Sequence, residues 1–359
     1  MKFGSKVMNA VATQSVAWFN DIDLHAVPRV GGKGASLGEL RRAGIAIPDG
    51  FVLTTDAFRQ FVAPLKASLQ LEPRIAALQG KDTATLNAEC AQIRDALVKQ
   101  QCPADLQVAI SAAYQQLSEH GKHAVAVRSS ATSEDSADAS FAGLQDTYLW
   151  VRNEQAMLEA VKLCWASLYN AESVSYRLRL GLPEAQLAMA VVIQRMVNSR
   201  CSGVMFTRSP LTGDRSVITL EGSWGLGSSI VSGEVTPDKF VVNKITREIT
   251  RRDIATKQIA HVPSINGGIL EQEVAAELQQ VSCLSDEQIH ALADTAKHVE
   301  RHYGKPQDIE WALDQDGHIL LLQSRPETVW ANKEKAPVAK PAAKAFDHIF
   351  KVMGGHKSV

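Results

Sequence analysis

No stretch of the 359-residue sequence is apolar for long enough to span a bilayer, which argues against an integral membrane protein. The opening segment, MKFGSKVMNAVATQSVAWF, has no apolar core of signal-peptide length, so a secreted protein is not expected. Positive charge is not in excess: 38 Lys and Arg stand against 39 Asp and Glu, and a net charge of −1 gives no basic field for nucleic acid. Cysteine is sparse and odd in number. The five thiols, at 90, 102, 164, 201 and 283, have neither metal nor redox spacing and read as reduced cysteines of a cytoplasmic protein. No internal repeat is present. What is there, 45% hydrophobic and 21% charged, is ordinary globular composition at a length suited to two domains or one domain with subdomains.

The chemistry begins at Val125–Thr147. The apolar run Ala124–Val127 predicts a buried strand that ends on Arg128-Ser-Ser and opens into a loop of Ser, Ala, Asp, Glu and Thr, then a Phe-Ala-Gly turn. A guanidinium offers a planar fork of donors, and small residues let backbone N–H groups approach anionic oxygen, so this is a candidate phosphate site. A polar surface loop is the plain alternative. A second candidate is Val30-Gly-Gly-Lys-Gly-Ala-Ser-Leu-Gly-Glu-Leu, where glycines 31, 32 and 34 and Lys33 precede a helical pattern, an arrangement that holds phosphate at a helix start. It lacks the Walker A spacing, and Gly-Lys pairs are common in ordinary turns.

Between and after these lie mostly structural patterns. Pro48-Asp-Gly predicts a turn between two short strands, and Thr54 or Thr55 a cap for a helix carrying Phe58, Phe61 and Val62. Residues 65–120 read as helical. Tyr148–Val151 predicts a strand, and Asn153 the cap of a helix with Leu158, Val161, Trp165 and Leu168 on its core face. Leu187–Ile193 predicts a strand with Gly203–Thr207 as its hairpin neighbour, followed by strands at Ser216–Glu221 and Lys239–Val242. Residues 250–285 read as variable and polar, and Asp286–Tyr303 as a helix. His298 and His302, one turn apart on that helix, have no evident third partner for a metal and read as an exposed face.

Asp308–Pro326 predicts two strands around an Asp-Gly turn, a hairpin signal. With the turn at Asp314–Gly317, Glu310 falls opposite Leu321 and Asp308 opposite Gln323. Alternation then puts Asp308, Glu310, Gln323 and Arg325 on one face of an otherwise apolar hairpin. Carboxylate and amide oxygens suit Mg²⁺ and the Arg suits phosphate, so this face reads as a Mg²⁺-nucleotide site, against the alternative of a solvated face with a surface ion pair. From Ala331 the composition shifts to Lys, Ala and Pro, a linker, before Phe346, Ile349, Phe350 and Met353 at helical spacing, read as a partner-docking segment or a frayed end.

In order and at suitable spacing, VGGKGASLGEL, GIAIPDGFVLTT, AVRSSATSED, SFAGLQDTYL, VVIQRMV, GVMFTRSPLTG, GLGSSIVSGEVTPD, and DIEWALD with LLQSRPET resemble the nucleotide-binding domain of the phosphoenolpyruvate synthase family, which pyruvate phosphate dikinase and rifampicin phosphotransferase share. The resemblance covers about residues 18 to 329. It implies an α+β ATP-grasp fold with ATP in a cleft between two lobes. The expected division is 1–185 for the N-terminal lobe, 186–330 for the C-terminal lobe, and 331–359 for the linker and tail. It implies that Lys33, Arg128 and Arg325 meet the ATP phosphates, and that Gly143 and Thr147 line the phosphate and ribose side. It further implies that Gln194 and the Met196–Val197 backbone hold adenine, and that Glu310 and Gln323 serve Mg²⁺. Family members pass phosphoryl to a histidine, usually in a Thr-Ser-His context, and none of the ten histidines here has it. The resemblance therefore implies a histidine-bearing partner. The domain cut is similar to that of the ATP-handling subunit of phenylphosphate synthase, with phenol as acceptor. Mobile loops such as 129–142 are expected to exclude water. The alternatives are a nucleotide-sensing module without catalysis, and the truncated ATP domain of a single-chain synthase or rifampicin phosphotransferase.

Overall fold

The computed structural model describes residues 14–132, 146–184, 187–328 and 330. Its first half builds an antiparallel sheet from β1 (Val16–Trp18), β2 (Gly50–Leu53), β3 (Val125–Ala131), β4 (Thr147–Val151) and β5 (Met189–Arg195). The spatial order is β1-β2-β5-β3-β4. The unbroken apolar run of β5 is explained by its central place: Val192 pairs with Val52 on one side and Arg128 on the other. Both faces of the strand are covered. Val191 and Ile193 join Phe51, Leu53, Val125 and Val127 in one core, while Ala190, Val192 and Val52 belong to a second.

The first core is closed by helices. The expected helical stretch 65–120 is broken into the end of α2 (Thr55–Ser68), α3 (Leu71–Ala76), α4 (Thr83–Lys99) and α5 (Ala104–Ser118), and α6 (Glu154–Ser167) and α7 (Ala171–Leu180) follow β4. Thr54 caps α2 by accepting from the Ala57 N–H, and Asn153 caps α6 by accepting from the Ala156 N–H at 2.8 Å. Of the expected α6 stripe, Val161, Trp165 and Leu168 are buried, and Leu158 is partly so. The helix that precedes β2, α1 (Val27–Arg42), packs instead into the second core through Val30, Leu37 and Leu40.

The second sheet contains β6 (Ser199–Phe206), β7 (Val217–Trp224), β8 (Asp238–Asn243) and β9 (Ile249–Asp253); the turn α8 (Ser228–Val231) follows β7. A separate hairpin, β10 (Ile259–Pro263) and β11 (Ile269–Glu273), precedes α9 (Asp286–Tyr303), β12 (Gln307–Asp314) and β13 (Ile319–Pro326). The large sheet runs β13-β12-β6-β7-β8-β9. The α9 boundaries are those the sequence predicts. Ser285 and Gln288 form a reciprocal capping box, and Ile289, Leu292, Ala293, Ala296 and Val299 give the helix its buried face. His302 bonds Glu39 at 2.6 Å.

Two expectations are corrected. β6 is not the hairpin partner of β5: both edges of β5 are taken by β2 and β3, so the chain crosses at Met196–Asn198 and β6 pairs with β7 and β12 in the other sheet. The change of sheet therefore falls there. The polar segment 249–285 contains β9 to β11, whose exposed faces account for its polarity. Only one strand flanks Pro48-Asp-Gly; residues 45–49 are spent bridging the sheets, the Ala46 carbonyl accepting from Leu321 N–H and the Asp49 carbonyl from Arg195 N–H. No helix among the described residues is long and apolar enough to cross a membrane. The expected tail segment 331–359 lies outside the described residues.

Candidate active site

Between the two sheets lies a cavity of about 1000 Å³, at the upper end of the usual range for small-ligand sites. Lys33, Arg128, Thr147, Gln194, Met196, Val197, Glu310, Gln323 and Arg325 all line it, although they come from α1, both sheets and the crossing segment. Gly143 lies outside the described residues, as does the stretch after Thr132 expected to cover the phosphates.

The glycine turn and the Arg128 strand are built as one unit. Gly31 interrupts α1 with φ +70°, a left-handed conformation that glycine adopts without a Cβ penalty. A Cβ there would also lie 2.3 Å from the Ser130 carbonyl oxygen. The buried Ser130 hydroxyl donates to the Val30 carbonyl at 2.9 Å and accepts from the Gly34 N–H at 3.2 Å. Lys33 donates to the Ser129 carbonyl at 3.0 Å. Two serines of the Arg128 motif thus fix the Lys33 turn, and their role was not visible as anything but loop composition. The turn joins two helical stretches within α1, so the stretch carrying Leu37 and Leu40 starts at it, as the sequence predicts.

Across the cavity, the hairpin register differs from expectation. Asp308 pairs with Arg325 and Glu310 with Gln323, but Trp311 pairs with Leu321, so Leu322 is an extra residue in β13. The four polar side chains still share one face because the bulge lies on the turn side of all of them. Arg325 approaches Asp308 at 3.4 Å, and Arg128 approaches Glu310 at 3.4 Å from the other sheet. Burial pushes the Asp308 carboxyl above its ordinary value, with the Arg325 charge opposing. Of this pair, Arg325 lines the cavity and Asp308 does not.

At the crossing segment, Gln194 is 1% exposed and its Nε2 has no partner among the described residues. The Met196 N–H is committed to the Ala124 carbonyl at 2.9 Å. One wall was missed entirely. The β10–β11 turn reaches the first sheet, with the Gly268 N–H on the Trp150 carbonyl at 3.0 Å and Arg152 on the Ile265 carbonyl at 3.2 Å. The signal was Asn266-Gly-Gly between two alternating apolar runs.

A family model described as "Pyruvate phosphate dikinase, AMP/ATP-binding domain" matches residues 27–345. The chain belongs to this family. Its α+β architecture, with a cleft between two lobes, is the ATP-grasp arrangement that the motif resemblance implies. The chain is 42% identical over 322 residues to a probable phosphoenolpyruvate synthase of Archaeoglobus fulgidus, covering 89% of this chain and 42% of the relative. It is 37% identical over 391 residues to the phosphoenolpyruvate synthase of Pyrococcus furiosus, covering 97% of this chain and 48% of the relative. With a probable phosphoenolpyruvate synthase of Methanocaldococcus jannaschii the identity is 38% over 328 residues, covering 90% of this chain and 28% of the relative. The chain spans less than half the length of these curated relatives. It is an ATP-binding domain of the dikinase type, a family of phosphotransferases.

Proposed function

We propose that the cavity binds Mg-ATP for transfer of the β-phosphoryl group to a histidine supplied from outside the two lobes. The observation that carries the reading is convergence: Lys33, Arg128 and Arg325 bring three cationic side chains from α1, β3 and β13 to one cavity beside the Glu310–Gln323 pair. Phosphoryl transfer asks a protein mainly for positioning and charge stabilisation, and this set supplies both. Lys33, Arg128 and Arg325 spread the phosphate charge. The buried Gln194 amide, with an unmatched Nε2 donor, suits an adenine ring acceptor. Because the Met196 N–H is engaged, contact to the base from that residue falls to its carbonyl, beside Val197.

Glu310 and Gln323 fit a hard cation, since both present oxygen ligands and stand directly opposite in the hairpin. Mg²⁺ held by these two residues would supply positive charge to offset that of the phosphates. In the transfer, a histidine nitrogen attacks the β-phosphorus, the bond to the α-phosphate oxygen breaks and AMP leaves; the γ-phosphate is later released as Pi. The relatives, which the chain covers by less than half, favour a histidine within a longer synthase, with pyruvate as acceptor. The likeness to the phenylphosphate synthase subunit favours a separate histidine-bearing chain with phenol as acceptor.

The test uses ATP labelled at the β-phosphate with the histidine-bearing unit of a relative added to this chain. Acid-labile label on that unit, with one AMP formed per label, is expected. AMP formation by this chain alone at the same rate would overturn the proposal.

A further inference from the structure

Beside the predicted residues, the cavity wall holds a hydrogen-bonded chain that neither the motifs nor the family match assign. The Ser228 hydroxyl lies 2.7 Å from His261 Nδ1, and His261 Nε2 lies 2.8 Å from Glu234 Oε2. Ser228 lines the cavity, and the His261 side chain is only 12% exposed. The backbone fixes this geometry. The Leu226 N–H donates to the His261 carbonyl at 2.8 Å, and a Cβ on Gly225, at φ +75°, would lie 2.4 Å from that oxygen. The segment before Ser228 is therefore locked onto β10.

The direction of the bonds follows from the carboxylate, which only accepts. In the neutral ring, Nε2–H donates to Glu234, so Nδ1 is the acceptor and the Ser228 proton points at it. The Ser228 oxygen is left with lone pairs for the cavity and calls for a donor. Its place along the cavity indicates which one. Ser202, on β6, donates to the Gly225 carbonyl at 2.6 Å, and a Cβ on Gly227 would lie 3.5 Å from the Ser202 hydroxyl. Along β6, Ser202 lies between Ser199, just past the crossing segment, and Val204, which pairs with Glu310. Ser228 thus stands between the Gln194–Val197 end and the Glu310 end. In a nucleotide spanning those ends, that position belongs to the sugar.

We infer that Ser228 accepts a hydrogen bond from a ribose hydroxyl of the bound nucleotide, with His261 and Glu234 as positioning residues that keep its oxygen an acceptor. The inference rests on the nucleotide reading of the cavity and adds sugar selectivity to it.

The experiment measures binding of Mg-ATP, 2′-deoxy-ATP and 3′-deoxy-ATP to the full chain and to Ser228→Ala, His261→Asn and His261→Gln. The unaltered chain binds one of the deoxy analogues roughly three- to tenfold more weakly than ATP, the effect of one net hydrogen bond. Ser228→Ala binds ATP at the level of that analogue and no longer distinguishes the two. Asn at 261 can place an acceptor near the Nδ1 position and keeps the discrimination, whereas Gln does not. Equal affinity of the unaltered chain for all three nucleotides, or discrimination that survives in Ser228→Ala, overturns the inference while leaving the nucleotide site intact. Failure of the folded chain to bind any of the three overturns both. The comparison of nucleotides on the unaltered chain needs no variant to fold.

Discussion

Arg128 and Glu310 stand 182 residues apart in the chain and on different sheets, yet Arg128 Nη1 approaches Glu310 Oε2 to 3.4 Å across the cleft. That is longer than the about 2.7–2.9 Å of a tight charge-assisted bond. A partly exposed pair at this distance contributes at most about 1 kcal/mol to folding. Each member is poised to exchange its partner, Arg128 for phosphate and Glu310 for a cation. Arg128→Ala and Glu310→Ala are therefore expected to unfold at nearly the original denaturant midpoint while losing phosphoryl transfer by ~10²-fold or more. Retained transfer in either variant would displace that residue from the site.

Ser130→Ala should weaken both the fold and the site. The hydroxyl is buried and bonded to Val30 and Gly34, so its loss leaves two backbone groups unmatched at a cost of about 1–3 kcal/mol. Because those bonds hold the turn carrying Lys33, ATP affinity should fall with stability. Urea unfolding and nucleotide titration on the same preparation check this; reduced stability with unchanged affinity would separate Ser130 from the Lys33 turn.

The loop ahead of β10 depends on an ion pair with no solvent exposure. Lys257 donates to Asp238 Oδ1 at 2.6 Å, and Asp238 also accepts from the Ala255 and Cys283 N–H groups. Lys257→Met leaves a buried carboxylate without its cation and should cost about 3–5 kcal/mol. Asp238→Ala, which strands Lys257 and two N–H groups, should cost at least as much. Equilibrium unfolding reads both, and a midpoint unchanged in Lys257→Met would refute the assignment.

Burial pushes the Cys102 thiol up to about 11, with the Lys162 charge opposing. The thiolate is the reactive form, so a raised value leaves little of it at neutral pH. Alkylation of Cys102 in the folded chain should be slow near neutrality and accelerate as pH rises toward that value. A rate that levels off near the ordinary thiol value would contradict the burial.

The elements legible in the sequence were those whose cause is local. Ser285 with Gln288 marks the start of α9, Thr54 and Asn153 cap their helices, and the alternation of Asp308 and Glu310 sets the polar face of β12. What failed depended on distant partners. β5 and β6 are separated by three residues, and only the occupation of both β5 edges sends them to different sheets. The Leu322 bulge follows from how β13 lies on β12, which no turn motif announces. At the site, charge and glycine patterns pointed to Lys33, Arg128 and the hairpin. Ser130, Ser228 and His261 are common residues whose significance comes from 2.7–3.2 Å contacts made across the fold.

The most direct test of the account is calorimetric titration of the isolated chain with Mg-ATP, alongside Lys33→Ala. The account predicts one saturable site per chain, weakened strongly in the variant and accompanied by little AMP during the titration. A folded chain that takes up no Mg-ATP, or binds it equally well without the Lys33 side chain, would contradict the assignment of the cleft as the nucleotide site.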